Sequence, residues 1–284
     1  KAQAIQNKLR DVMKNRALYY INGAINLLPQ SSSKGSNLSG TVFADFAHGL
    51  SEGRGFVWGL RFTHHADHLN MPSSVWEATK SELEQLRDDI DALEYENNVH
   101  ISYNSLNAVT YSGQTARMQQ VIDMAGKMDK DNTTTIADDE LSNMFEADAQ
   151  GVSGKKVKSK TNNEVHTLLE HVFDQYFSMQ GKEGNTAANE TAGMVGSRFV
   201  TANGWEPNQV FMKSMIGALN YDQIVTGYLS DAKMNGTGNA LWNDHVAGVL
   251  EVDTADVHGN PLTYKEYSVV AHNFDEAYGY YRGI

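Results

Sequence analysis

No cysteine occurs among the 284 residues of this chain. That excludes disulfide cross-links, thiolate nucleophiles and any zinc site built on cysteine sulfur. Proline is scarce at four residues, so long helical patterns meet few breakers. No apolar run reaches the roughly 18 residues that a membrane-spanning helix needs. Positive charge is also short: 23 Lys and Arg against 35 Asp and Glu leave a net charge of −12. Nucleic-acid binding needs clustered Lys and Arg, so no nucleic-acid partner is expected. The one basic run, Lys155-Lys156-Val157-Lys158-Ser159-Lys160, lies near Gly, Ser and Asn residues and reads as a solvated loop. The chain starts at Lys1 with neither Met nor a targeting segment, so export would imply a leader already removed.

What is present is helical periodicity. Ile5, Leu9, Val12, Met13, Ala17, Tyr20, Ile21 and Ala24 form one apolar stripe, which Leu28-Pro29 ends. Residues 30–40 read as a loop and 42–62 as a second helix. A third helix is predicted to open at Pro72-Ser73-Ser74, with Ser74 and Glu77 as its capping box. Residues 94–111 are polar and without helical period, which makes them a linker or the true mature start. Further helices are predicted over 112–127, 138–147, 163–180, 207–234 and from about Tyr264, with 235–262 largely irregular. Gly23 and Gly227 interrupt long helices, and close helix–helix approach would offset their cost of about 1 kcal/mol each. The expected fold is all-α, two associated up-down helical bundles over 1–93 and 112–284.

Two segments near opposite ends share one pattern. They are His48-Gly49-Leu50-Ser51-Glu52-Gly53-Arg54-Gly55-Phe56 and His272-Asn273-Phe274-Asp275-Glu276-Ala277-Tyr278-Gly279-Tyr280. His and Glu at i and i+4 stand on one helix face, so each segment can aim an imidazole and a carboxylate at one point. Their recurrence suggests a duplicated fold whose halves share a site. His48, Glu52, His272, Asp275 and Glu276 are therefore candidate ligands for Zn, Fe or Cu. The same residues would equally serve as a structural polar network between helices. A His-Glu-x-x-His peptidase string is absent, which leaves catalysis as the lesser reading.

Other groups carry weaker signals. His64-His65-x-x-His68 suits a cationic helix end more than a metal site. His166 and Glu170 read as a surface pair beside His171. The loop beginning at Asp129 places Asp131 and Glu140 at calcium-loop positions 3 and 12, but Thr134 replaces the turn glycine, so calcium is not expected. Trp58, Tyr278, Tyr280 and Tyr281 read as core aromatics around the motif helices.

Several strings together resemble one bacterial family: Val109-Thr110-Tyr111-Ser112-Gly113-Gln114-Thr115-Ala116-Arg117, Ala17-Leu18-Tyr19-Tyr20-Ile21-Asn22-Gly23-Ala24 and both His-x-x-x-Glu segments. The chain resembles exported proteins of the domain of unknown function 4856, related to imelysin-like proteins. The resemblance implies duplicated helical bundles and a periplasmic or cell-surface location, with an outer-membrane lipid anchor outside this chain. Imelysin-like proteins carry a Gly-x-His-x-x-Glu motif, were classed as peptidases, and are linked to iron or haem acquisition. Here that motif would map onto His272, Asp275 and Glu276, with Val270 in place of its Gly and Arg282 interrupting its aromatic-Gly ending. In the family order the Tyr-Ser-Gly-Gln-Thr-Ala-Arg string comes early. Residues 1–93 resemble the family's C-terminal half and about 95–284 its N-terminal half, which implies a circular permutation or exchanged segments. The expected role is binding a metal or metal-containing ligand in an uptake system. The alternatives are a metallopeptidase and an interaction protein with structural His/Glu pairs.

Overall fold

The apolar stripes of the first 93 residues fold as three helices: α1 (Ala2–Leu27), α2 (Gly40–His64) and α3 (Lys80–Asp91). The structure is a computed structural model that describes residues 2–64, 66–93, 112–129, 135–255 and 259–282. The expected linker 94–111 lies outside the described residues, as do residues 130–134 of the calcium-like loop and His65.

The third helix begins later than its sequence suggests. Its capping box is Thr79 and Glu82: the Glu82 amide donates to Thr79 Oγ1 at 3.2 Å, and the Thr79 amide to Glu82 Oε2 at 2.9 Å. Residues 72–79 cannot wind into a helix because their backbone groups are already engaged. The Val75 amide donates to Asn203 O (2.8 Å), while Trp76 O and Ala78 O accept from Ser36 and Gly35 (2.7 and 3.0 Å). This turn carries Val75 and Trp76 into the core, where Trp76 stacks on Phe43 at 3.7 Å.

Beyond the linker come α4 (Ser112–Lys127), α5 (Glu140–Glu146) and α6 (His166–Met179). A short hairpin follows, β1 (Gly193–Val195) and β2 (Arg198–Val200), with Met194 opposite Phe199. Then α7 (Pro207–Met215) runs into two π-helical segments, Ile216–Tyr221 and Gln223–Tyr228. The single helix expected over 207–234 is thus wider-wound from residue 216, and α8 (Asp231–Met234) is separate. The stretch read as irregular holds α9 (Ala240–Val246) and a second antiparallel hairpin, β3 (Val252–Ala255) with β4 (Pro261–Tyr264). Tyr264 belongs to that hairpin, so the last helix, α10 (Val269–Arg282), starts five residues later than expected. The architecture is mainly α.

Two apolar cores result. One is built on α1–α3 but takes Ala187, Val200 and Trp205 from the segment around the first hairpin. The other is built on α4–α10 and takes Leu9 and Trp58 from the first two helices. The two cores meet along α2, which packs on both α1 and α7. The glycines that permit this are not the two singled out in the sequence. Gly23 faces open space, and Gly227 meets only Gln223 and a local carbonyl. The close contact is Gly59 against Gly217, where a Cβ on Gly217 would lie 2.5 Å from the Gly59 Cα. Gly55 meets α7 similarly, with a Cβ only 3.0 Å from Val210 O. Among the described residues no helix is long and apolar enough to cross a membrane.

Candidate functional site

The two His-x-x-x-Glu segments form two centres, and no hydrogen bond or ion pair among the described residues joins them. In the first, α2 presents His48 and Glu52. His48 Nε2 lies 3.3 Å from Glu52 Oε2, and Nδ1 lies 2.9 Å from Glu206 Oε2. Glu206 is the residue before Pro207, at the start of α7, where a carboxylate is favoured by the helix dipole. Its amide donates to Ser51 Oγ at 2.9 Å, and Ser51 Oγ in turn donates to Ala47 O at 2.7 Å. Both carboxylates are buried, and both have cations: Lys213 Nζ is 3.0 Å from Glu52 Oε1, and Arg198 Nε is 3.6 Å from Glu206 Oε1. Tyr20 of α1 also bonds Glu52; burial, then the Glu52 charge, raises its phenol. One polar node thus ties α1, α2, β2 and α7 together.

The second centre repeats the wiring on α10. His272 Nδ1 lies 2.8 Å from Glu251 Oε2, and Nε2 lies 3.7 Å from Glu276 Oε1. In both centres, therefore, the histidine stands between its own i+4 glutamate and a distant one. Glu251 comes from just before β3, and Gln114 of α4 donates to Glu276 Oε2. Tyr228, at the end of the second π segment, bonds Glu276; burial first, and the Glu276 charge second, raise its phenol well above the ordinary value. Burial also pushes Tyr280 up to about 12, against the opposing pull of Arg117, whose Nη1 donates to its hydroxyl at 3.4 Å. Lys160 sits 5.3 Å from the Tyr228 ring, so the end of the basic run is packed rather than solvated; burial lowers its ammonium.

The difference is in the counter-charge. Among the described residues no Lys or Arg forms an ion pair with Glu251 or Glu276. The second histidine is also more open, its side chain 33% exposed against 24% for His48, with partner glutamates at 23% and 19% against 4% and 9%. Beside it lies an open cleft of about 650 Å³ lined by His245, Tyr264, Tyr267 and Ser268. Tyr267 meets the His272 ring edge-on at 5.5 Å, and Ser268 Oγ lies 2.7 Å from His245 Nδ1.

The donor geometry limits what either centre can hold. One ion takes only one nitrogen of a ring, and the two glutamates flank opposite nitrogens. Each centre therefore offers an ion one imidazole and one carboxylate, not a converging set. Among the described residues no three His, Asp or Glu side chains are grouped to hold a metal ion. Asp275 is fully buried.

The lesser candidates fall elsewhere. Glu140 pairs with Lys127 at 2.5 Å, and only part of its calcium-like loop is described. His166 and Glu170 form no ion pair; His166 packs edge-on against Phe145 at 5.4 Å, and His171 meets Gln175 at 3.0 Å. His68 is exposed. Trp58 and Tyr280 are buried, whereas Tyr281 is exposed and outside the core. The sequence reading missed Arg198, Glu206, Lys213, Gln114, Tyr228 and Glu251. Only Glu206 had a local signal, an acid directly before a helix-opening proline; the others arrive by tertiary contact.

The profile of the family described as domain of unknown function 4856 matches residues 96–284, and the chain belongs to that family. The match spans the whole second centre and Arg198, Glu206 and Lys213 of the first, but not Tyr20, His48 or Glu52. No curated protein and no solved structure matches the chain.

Proposed function

We propose that this member of the family is a non-catalytic binding protein that takes a metal already held in an organic chelate, of the iron or haem class, at the His272 centre. The observation that carries this is the contrast in counter-charge. Glu52 and Glu206 are matched by Lys213 and Arg198, while among the described residues no Lys or Arg forms an ion pair with Glu251 or Glu276. An open pair of carboxylates with an imidazole attracts a cation; a closed, compensated set holds helices together. Two protein donors would hold a bare ion weakly. A chelated metal brings its other donors with it and needs only one or two from the protein, with the neighbouring cleft to seat the organic part. A metallopeptidase, by contrast, uses three protein ligands and an open fourth position. The matching location for such a protein is the periplasm or cell surface, held by a lipid anchor outside this chain.

Titration with haemin and with ferric citrate, followed by absorbance and by iron analysis after gel filtration, tests the reading. Saturable binding that weakens at least tenfold in His272→Ala and in Glu251→Gln is expected. Absence of binding to either chelate, or wild-type affinity in both variants, sinks it. Chelator-sensitive cleavage of a protein substrate, lost in Glu276→Gln, would instead establish the metallopeptidase reading.

A further inference from the structure

A second site lies on α2, beyond the His48 node and independent of the proposed chelate site. Arg54 is held between two indoles, its Cζ 4.7 Å from the Trp58 ring centre and 4.3 Å from that of Trp205. Trp205 is fixed in turn by its Nε1, which donates to Ser73 O at 3.1 Å. Both rings are buried, and Arg54 keeps partial exposure. Among the described residues the guanidinium has no carboxylate and no hydrogen-bond acceptor, and its Nε is buried without a partner. The carboxylates of the neighbouring node pair elsewhere, Glu52 with Lys213, His48 and Tyr20, and Glu206 with His48 and, at 3.6 Å, Arg198, although Glu206 Oε1 has no hydrogen-bond partner among the described residues.

Two turns along the same helix face stands Arg61, whose Nε is also buried without a partner; among the described residues its one hydrogen bond is a long one, Nη2 to Leu69 O at 3.4 Å. The two cations feel one another: burial, and then the Arg61 charge, draw the Arg54 guanidinium down to about 10. Two like charges within each other's field, each with a buried orphaned donor, are costly unless something anionic joins them. Among the described residues no Asp or Glu forms an ion pair with either arginine.

We infer that Arg54 and Arg61 form a binding site for a small oxyanion, a carboxylate or phosphate group. The chemistry is set by the sandwich. Two indole rings are centred 4.7 and 4.3 Å from the Arg54 Cζ, which leaves its N–H groups to recognise a ligand. Those groups match the paired oxygens of a carboxylate or phosphate, which Nε and one Nη can grip together. Arg61 supplies the second cation, and the flanking tryptophans make binding visible.

Tryptophan fluorescence and calorimetric titration with inorganic phosphate and with citrate test the site, and the arm that saturates identifies the oxyanion. Arg54→Gln is expected to weaken binding at least tenfold. Arg54→Lys, which keeps the charge but loses the fork, is expected to weaken it as well. Lys182→Ala, an exposed lysine on another element, is expected to bind like wild type and so controls for general charge. If Arg54→Gln fails to fold by circular dichroism, Arg61→Gln decides. No saturable signal with either anion, or unchanged affinity in the arginine variants, overturns the inference and leaves the sandwich as packing alone.

Discussion

The His48 and His272 centres are wired alike and balanced differently. Each histidine lies between a glutamate one helical turn away and another brought in from elsewhere, at 2.9 Å in one centre and 2.8 Å in the other. Around His48 the carboxylates are buried and met by Lys213 and Arg198; around His272 they are partly open, and among the described residues no Lys or Arg pairs with them. The same pattern of one histidine between two glutamates therefore does two physical jobs. Where counter-ions complete it, it locks helices; where they do not, it keeps an unspent affinity for positive charge.

The largest effect that would break this contrast is expected at His48. His48→Ala leaves Glu52 and Glu206 buried with one partner fewer each, and should lower unfolding stability by about 2–3 kcal/mol in urea denaturation. A loss no greater than that of His272→Ala would erase the distinction. Next comes Gly217→Ala. The added methyl group collides with Gly59, and relieving it shifts α7, which carries Lys213, relative to α2. A cost of about 1–3 kcal/mol is expected, with the His272 chelate affinity unchanged.

The third test is alkaline titration of the second centre. Tyr280 ionises near 10 when unfolded and is pushed up to about 12 in the fold, so the folded state holds its proton longer. The stability this represents is complete below pH 10 and is lost as pH rises toward 12. Tyr280→Phe should flatten that part of the pH–stability curve, read by thermal melting; an unaltered slope would show that the phenol is not shielded. The smallest effect is expected for His272→Ala, whose partners are exposed enough to rehydrate. It should cost about 1 kcal/mol or less while removing chelate binding.

Much of the helical order was legible because apolar residues at 3.6 spacing mark a buried face whatever that face meets. The stripe from Ile5 to Ala24 and the pattern from Val165 to Tyr176 both became helices. What was not legible depends on partners far away in the chain. Ser74 and Glu77 have the spacing of a capping box, as Thr79 and Glu82 do, but Asn203 takes the backbone that the first pair would have needed. The same holds for the candidate site. His and Glu at i and i+4 predict a shared helix face, and both pairs are found so. Nothing local to Glu206, Lys213 or Glu251 announces that they will meet those faces, nor that one centre will be neutralised and the other left open.

Trp205 has a consequence for how the chain folds. It is fully buried in the core of α1–α3, and its indole reaches Ser73, 132 positions earlier. That core cannot close until the polypeptide beyond residue 205 is available, however early its three helices wind. During synthesis the first third of the molecule must wait, with apolar surface uncovered, for a plug made much later. Folding dominated by so distant a closure is slow relative to a bundle of neighbouring helices, and a chaperone's protection matters most in that interval.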